Sequence, residues 1–245
     1  MKTLLLDVDG VLANFIGGII QTHGWPFTHK EFNCWDYHRT HGYTDEEMWE
    51  PTKDGKWWLG LDPYDHAADL LAKLRETHNI IFCTAPNSDA TCASQKIQWL
   101  EKHGFMEPGS GDYQIGKHKH LNAMSGCVLI DDSDENVWRY RHAGGRAILF
   151  PQPWNDNRGL VDCQLTHVVS ELEAYESGQP FPSKSRVVCK RDSAEIDTLG
   201  WSHGMSVCRA GDEYQIESCV LTPGSKWAVM ITGELHPACD FEAKA

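Results

Sequence analysis

The sequence predicts an α/β fold, a Rossmann-like parallel sheet with helices on both faces. Apolar runs of strand length recur as "TLLLDV" (3–8), "NIIFCTA" (79–85), "GCVLIDD" (126–132) and "RAILF" (146–150). Continuous apolar runs suit strands buried on both sides. Helical patterns lie between these runs, and strand, helix, strand at this rhythm builds a parallel sheet. Polar residues gather where the runs end: Asp7 and Asp9 after the first, Thr84 in the second, Asp131 and Asp132 closing the third. In such sheets, sites form beyond the carboxyl ends of the strands.

Taken in order, "LLLDVDGVLANF" (4–15) buries three leucines and then ends on paired acids. From about 16 to 61 an aromatic-rich insert interrupts the first crossover, with Trp25, Trp35, Trp49, Trp57 and Trp58 among its rings. Its "TDEE" at 44–47 reads as a capping box, so part of the insert is expected to be helical, as a small cap. After Asp62-Pro63 come Ala67, Leu70, Leu71 and Leu74, the spacing of one helix face, with Asp62 as cap and Pro63 in the first turn. A second helix is expected after Ser88, with Ala93, Ile97 and Leu100 on one face and Gly104 closing it. A third follows Ser133, with Val137 and Tyr140, and closes at Gly144.

Beyond these elements "SGQPFPSKS" (177–185) is a linker by composition, and from about 186 short β-like runs take over. The expected division is a catalytic domain over 1–178, carrying the insert, and a small β-rich domain over 186–245. About 60 residues is near the lower limit for independent stability. That segment is therefore expected to pack on the catalytic domain or on another subunit, which allows a homo-oligomer.

The 245 residues are 41% hydrophobic and 23% charged, ordinary for a globular protein, and the formal charge is −13. So acidic a chain lacks the basic stripe of an extended nucleic-acid surface, but a cation can still hold a small phosphorylated substrate locally. No apolar stretch approaches the roughly 20 residues of a membrane span. Acids cut off the short apolar run at the N-terminus, unlike a signal peptide, so the expected location is cytoplasmic. The nine cysteines form no CxxC pair, which reads as free thiols. Cys189, Cys208, Cys219 and Cys239 are too irregularly spaced to argue for zinc.

The acids carry the chemistry. With one residue between them, Asp7 can aim at a ligand while Asp9 bends over from the following loop. One carboxylate can attack phosphorus and the other can protonate the leaving oxygen. Pushing an anion onto a phosphate calls for a cation, and magnesium (Mg2+) takes oxygen ligands of this kind. Asp132, from a neighbouring strand, can complete its shell, and Gly10 permits a tight turn near the phosphate.

"DVDGV", "CTAP", a following lysine and "LIDD" resemble the four motifs of the haloacid dehalogenase superfamily of phosphohydrolases. More narrowly, "DVDGVLANF", "LIDDSDENV" and "GGRAILFPQPWN" resemble the 5′(3′)-deoxyribonucleotidase branch, over about residues 1 to 175. The resemblance implies that Asp7 is the nucleophile, forming an aspartyl-phosphate, and a metal ligand. Asp9 would be general acid and then base, lending its backbone carbonyl to the metal. Thr84 with the N–H groups of Ala85 and Asn87 would hold the phosphate, and Asp132 rather than Asp131 would bind the metal. The lysine is Lys117 or Lys119; "KHLNA" favours Lys119, which would neutralise phosphate and nucleophile. Phe15, Trp35 and Trp57 are candidates to stack on a base, with Trp58 a further one, against the alternative that they pack the cap's own core. The implied substrate is a nucleoside monophosphate. The same chemistry also fits a sugar phosphate or a nucleic-acid end. A non-catalytic nucleotide-binding module is the other alternative, although such a module need not keep both Asp7 and Asp9.

Overall fold

In the computed structural model, β1 (Lys2–Leu6) is the middle strand of a five-stranded sheet. On one side lie β2 (His78–Thr84) and β3 (Tyr113–Ile115), and on the other β4 (Val128–Asp131) and β5 (Arg146–Leu149). The structure describes residues 2–54 and 56–177 and, beyond them, eight short strands between 186 and 243. Every neighbouring pair in the sheet is parallel, and Leu5 faces Ile81 on one side and Leu129 on the other. Leu4, Leu5 and Leu6 are at most 2% exposed, and burying each contributes about 1.5–3 kcal/mol. The order β3-β2-β1-β4-β5 makes the chain wind one way from β1 to β2 and the other way towards β4. The crevice opened by that reversal lies at the carboxyl ends of β1 and β4.

The helices are α1 (Phe15–His23), α2 (Tyr37–Thr40), α3 (Asp45–Trp49), α4 (Ala67–Arg75), α5 (Cys92–Lys102), α6 (Asp134–His142) and α7 (Gln164–Ser177). Parallel crossovers are right-handed as a rule, and with this strand order that sets α4 and α5 on one face of the sheet and α6 on the other. Leu70, Leu71 and Leu74 of α4 are buried, and α4 packs against β2. On the α6 face, Val137 and Tyr140 close a cluster with Leu5, Cys83, Leu129, Ala147 and Leu149. The insert contains α1, α2, α3 and single turns of 3-10 helix at His29–Glu31, Glu50–Lys53 and Trp58–Gly60. Thr44 and Glu47 make the capping box that "TDEE" predicts. No helix among the described residues is long and apolar enough to cross a membrane.

Three expectations need correction. Asp62 and Pro63 do not start α4, whose cap is His66. They run alongside the strand exit instead, with Asn14 N–H donating to Asp62 O at 2.9 Å and Pro63 bridged to Ala13, because the chain leaving the insert lies against the chain entering it. The second helix begins at Cys92, not just after Ser88, because Asp89 ties Thr91 N–H at 2.6 Å into a turn of its own. Its buried stripe is Cys92, Gln95, Lys96, Trp99 and Leu100 rather than Ala93, Ile97 and Leu100. One strand is absent from the sequence reading: β3 carries no apolar signal, since it is a three-residue edge strand with Tyr113 and Gln114 exposed.

The chain divides into two compact units, Met1–Val169 and Ser170–Ala245. The sheet, the insert and all the acids discussed below belong to the first. In the second, β6 (Arg186–Cys189), β7 (Ser193–Ile196), β8 (Ser202–Cys208), β9 (Glu213–Gln215), β10 (Ser218–Leu221), β11 (Trp227–Ile231), β12 (Glu234–Pro237) and β13 (Phe241–Ala243) pair antiparallel in three small sheets. The expected linker, after Ser177, lies outside the described residues, as do the side chains of Cys189, Cys208, Cys219 and Cys239.

Candidate active site

The end of β1 is bound into the sheet on one side and opens into a tight loop. Asp7 N–H donates to Ile130 O at 2.9 Å, so the ladder reaches one residue past the strand and fixes the Asp7 backbone. The Asp7 Oδ1 atom accepts from Val8 N–H at 2.8 Å. The loop then turns back on itself, with Leu12 and Ala13 N–H both donating to Val8 O at 2.8 Å. Gly10 sits in it at φ +76°, and a Cβ there would stand 2.2 Å from Asp132 Oδ2. The Gly10 backbone thus lies directly against the Asp132 carboxylate, with no room for a Cβ. Gly10→Ala is expected to lower stability by about 1–2 kcal/mol from the left-handed backbone alone, with more from displacing Asp132. The urea midpoint checks this, and an unchanged midpoint refutes the close approach.

The ends of β1 and β4 bring three carboxylates together. Asp7, Asp131 and Asp132 are all buried, and each can place an oxygen within 4.8 Å of the others. Lys119, in the 3-10 stretch Lys119–Ser125, lies among them, its Nζ 2.8 Å from Asp7 Oδ2 and 2.6 Å from Asp131 Oδ2. It is 3% exposed, whereas Lys117 is exposed. Asp131 has no oxygen to spare: Oδ1 also accepts from Ser133 N–H at 2.9 Å, and Asn136 Nδ2 reaches both oxygens. Asp132 Oδ2 accepts from the Trp154 indole at 2.9 Å, and among the described residues no hydrogen bond reaches its Oδ1.

One ammonium among three carboxylates leaves a surplus of negative charge. Burial raises Asp7 above the usual carboxylate range in spite of Lys119, and Asp131 and Asp9 push the same way. Burial, Asp7 and Asp131 likewise raise Asp132. Lys119 is raised because its two carboxylates outweigh its own burial. A second cation would relieve this surplus. Asp7 and Asp132 are oxygen donors of the kind a small, hard divalent ion takes, so the residues fit one.

Asp9 meets the end of β2. Thr84 Oγ1 donates to Asp9 Oδ2 at 3.4 Å, and Lys96 forms a tight ion pair with the same oxygen. Lys96 also donates to Thr84 Oγ1 at 3.1 Å and Ala85 O at 2.7 Å, with its Nζ 4.3 Å from the centre of the Trp58 ring. The other Asp9 oxygen, Oδ1, is buried and has no hydrogen-bond partner among the described residues. Reading the sequence overlooks Lys96. The available signal is a lysine three and four residues from Trp99 and Cys92 on the stripe that α5 buries, since a buried lysine normally answers to a partner.

The remaining candidates lie around this centre. The Asn87 amide bonds Thr52 Oγ1 of the insert at 2.8 Å, while its N–H donates to Cys92 Sγ at 3.5 Å. Phe15 is 3% exposed and enclosed by Trp35, Trp49, Trp57 and Trp58. Trp35 stacks on it at 6.2 Å and is 43% exposed. Trp57 meets Phe15 edge-on and donates to Thr22 Oγ1 at 3.0 Å. His29 Nε2 lies 2.9 Å from the Tyr64 hydroxyl, and burial holds His29 down to about 4, so its ring is neutral.

The family model described as 5' nucleotidase, deoxy (pyrimidine), cytosolic type C protein matches residues 1–175. Among curated proteins, the mitochondrial 5'(3')-deoxyribonucleotidase of Mus musculus is 26% identical over 166 residues, 60% of this chain and 71% of the relative. The Homo sapiens protein of the same name is 25% identical over 147 residues, 53% of this chain and 61% of its own. A solved haloacid dehalogenase-like hydrolase from Streptococcus pneumoniae aligns with 70% of this chain and 98% of its own at 12% identity, with a TM-score of 0.45.

Proposed function

Since the chain belongs to the family of the 5' nucleotidase, deoxy (pyrimidine), cytosolic type C protein, we propose that it is a magnesium-dependent phosphatase of deoxynucleoside monophosphates. The observation that carries the reading is the Asp7 carboxylate at the centre of the sheet, held between Val8 N–H and Lys119 with Asp9 in the loop beyond it. An Asp7 oxygen attacks phosphorus in line with the ester oxygen. The P–O ester bond breaks, and Asp9 gives its proton to the leaving alkoxide. Asp9 then takes a proton from water as that water attacks the aspartyl-phosphate, releasing inorganic phosphate and restoring Asp7. Lys96 and Thr84 occupy Asp9 Oδ2, which leaves Oδ1 as the oxygen to carry the proton.

Lys119 and Thr84 would hold the phosphate, with Ala85 beside them. Asn87 N–H would join only by giving up its long bond to Cys92. Asp7 and Asp132, with the Asp9 carbonyl that the resemblance implies, would hold magnesium. When bound, it screens the charge on the phosphate oxygens. For the base, Trp35 is the exposed ring of the insert's aromatic group; Phe15 stacks against it, and Trp57 meets Phe15 edge-on.

Phosphate release from a panel of monophosphates tests this reading. Deoxynucleoside monophosphates should be hydrolysed with magnesium, lost after chelation and regained when magnesium returns. Faster turnover of a sugar phosphate than of every nucleotide would displace the substrate assignment. Full activity after exhaustive chelation would remove the metal.

A further inference from the structure

The segment Pro151–Asn155 follows β5 and reaches back over the site. Asn155 Nδ2 donates to Asp132 O at 2.8 Å and to Phe150 O at 2.7 Å. The buried Gln152 side chain donates to Gly10 O, and its backbone N–H to Asn155 Oδ1 at 3.3 Å. Between them Trp154, 7% exposed, gives its indole N–H to Asp132 Oδ2 at 2.9 Å. Its ring meets three rings of the insert edge-on: His29 at 5.1 Å, Phe32 at 6.3 Å and Trp35 at 6.4 Å. One side chain therefore touches both the carboxylate beside Asp7 and the insert above it.

We infer that Trp154 is a positioning residue, whose indole N–H sets the orientation in which Asp132 offers Oδ1 to magnesium. The Asp132 carboxylate stands beside two others that repel it, and without a donor on Oδ2 it would turn away from them. The N–H opposes that turn, and the insert rings hold the indole in its place. Outer partners of metal ligands commonly act this way, and losing one costs about 10–100-fold in metal affinity or activity.

The inference rests on magnesium binding at Asp132, as proposed above. Trp154→Phe keeps the ring and deletes the donor; Trp154→Leu is the second donor-free variant should the first not fold. Trp154→His returns an N–H on a smaller ring. Magnesium titrated calorimetrically into each folded protein without substrate gives the affinity, and KM for a deoxynucleoside monophosphate is then measured at saturating magnesium. The donor-free variant should bind magnesium roughly tenfold more weakly or worse, with KM little changed, and Trp154→His should recover part of the loss. Wild-type affinity in a folded donor-free variant overturns this inference alone. A wild-type protein that takes up no magnesium overturns both this inference and the metal assignment it rests on.

Discussion

Asp7→Asn is expected to leave a folded protein whose phosphatase activity has fallen by on the order of 10⁴-fold or more, the loss typical of removing a nucleophile. The amide keeps the shape of the carboxylate, and its oxygen can still accept from Val8 N–H. It is, however, a far poorer nucleophile and metal ligand. It also carries no charge, so Lys119 keeps only Asp131 as a full ionic partner. Because burial disfavours a charged Asp7 in the folded protein, neutralising it should not unfold the chain. The measurements are turnover of a deoxynucleoside monophosphate and of a small aryl phosphate, with circular dichroism as the control for folding. Near-normal turnover of either ester by the folded variant would sink the proposed mechanism.

Lys119→Met should lose both stability and activity. The lysine sits 2.8 Å from Asp7 and 2.6 Å from Asp131, and all three side chains are buried. Methionine fills much the same space but leaves the two carboxylates facing each other with no cation between them. Removing one partner of a buried ionic cluster costs about 3–5 kcal/mol. Activity should fall as well, because the cation beside the proposed nucleophile is gone. Urea denaturation, with magnesium absent so that no second cation compensates, measures the first effect, and turnover with magnesium measures the second. A variant as stable as the wild type would show that Lys119 does not hold the acids together. By contrast, Lys117→Met, at an exposed position, should change neither quantity appreciably.

The acids were legible because strand ends are local features. An apolar run shows where a buried strand lies, and the first polar residues after it must emerge at its carboxyl end. That places Asp7, Thr84 and Asp131 on one edge of any parallel sheet built from these runs. Their meeting still depends on strand order, since only with β1 between β2 and β4 do Asp9 and Thr84 come within hydrogen-bond range while Asp7 adjoins Asp131 and Asp132.

Other parts of the site leave no local trace. Lys96 is 87 residues from Asp9, and nothing in the helix pattern separates it from a solvated lysine until the buried stripe of α5 is known. Lys117 and Lys119 sit in one stretch without periodicity; the resemblance of "KHLNA" favours Lys119, but that only Lys119 is buried is a tertiary fact. The aromatic richness of the insert is plain in the composition. That Phe15 is enclosed while Trp35 keeps an open face follows only from how the insert's short helices pack.

By itself, then, the sequence determined the parallel α/β sheet, the carboxylates at its strand ends and an aromatic insert between the first strand and the second, because periodicity and strand termini are properties of neighbours along the chain. The tertiary structure alone decided which cation serves which acid, that Asp131 is consumed in orienting Lys119, and that Trp154 comes to rest on Asp132. Those pairings join residues brought together by the crossovers and by burial, and a linear pattern carries no record of either.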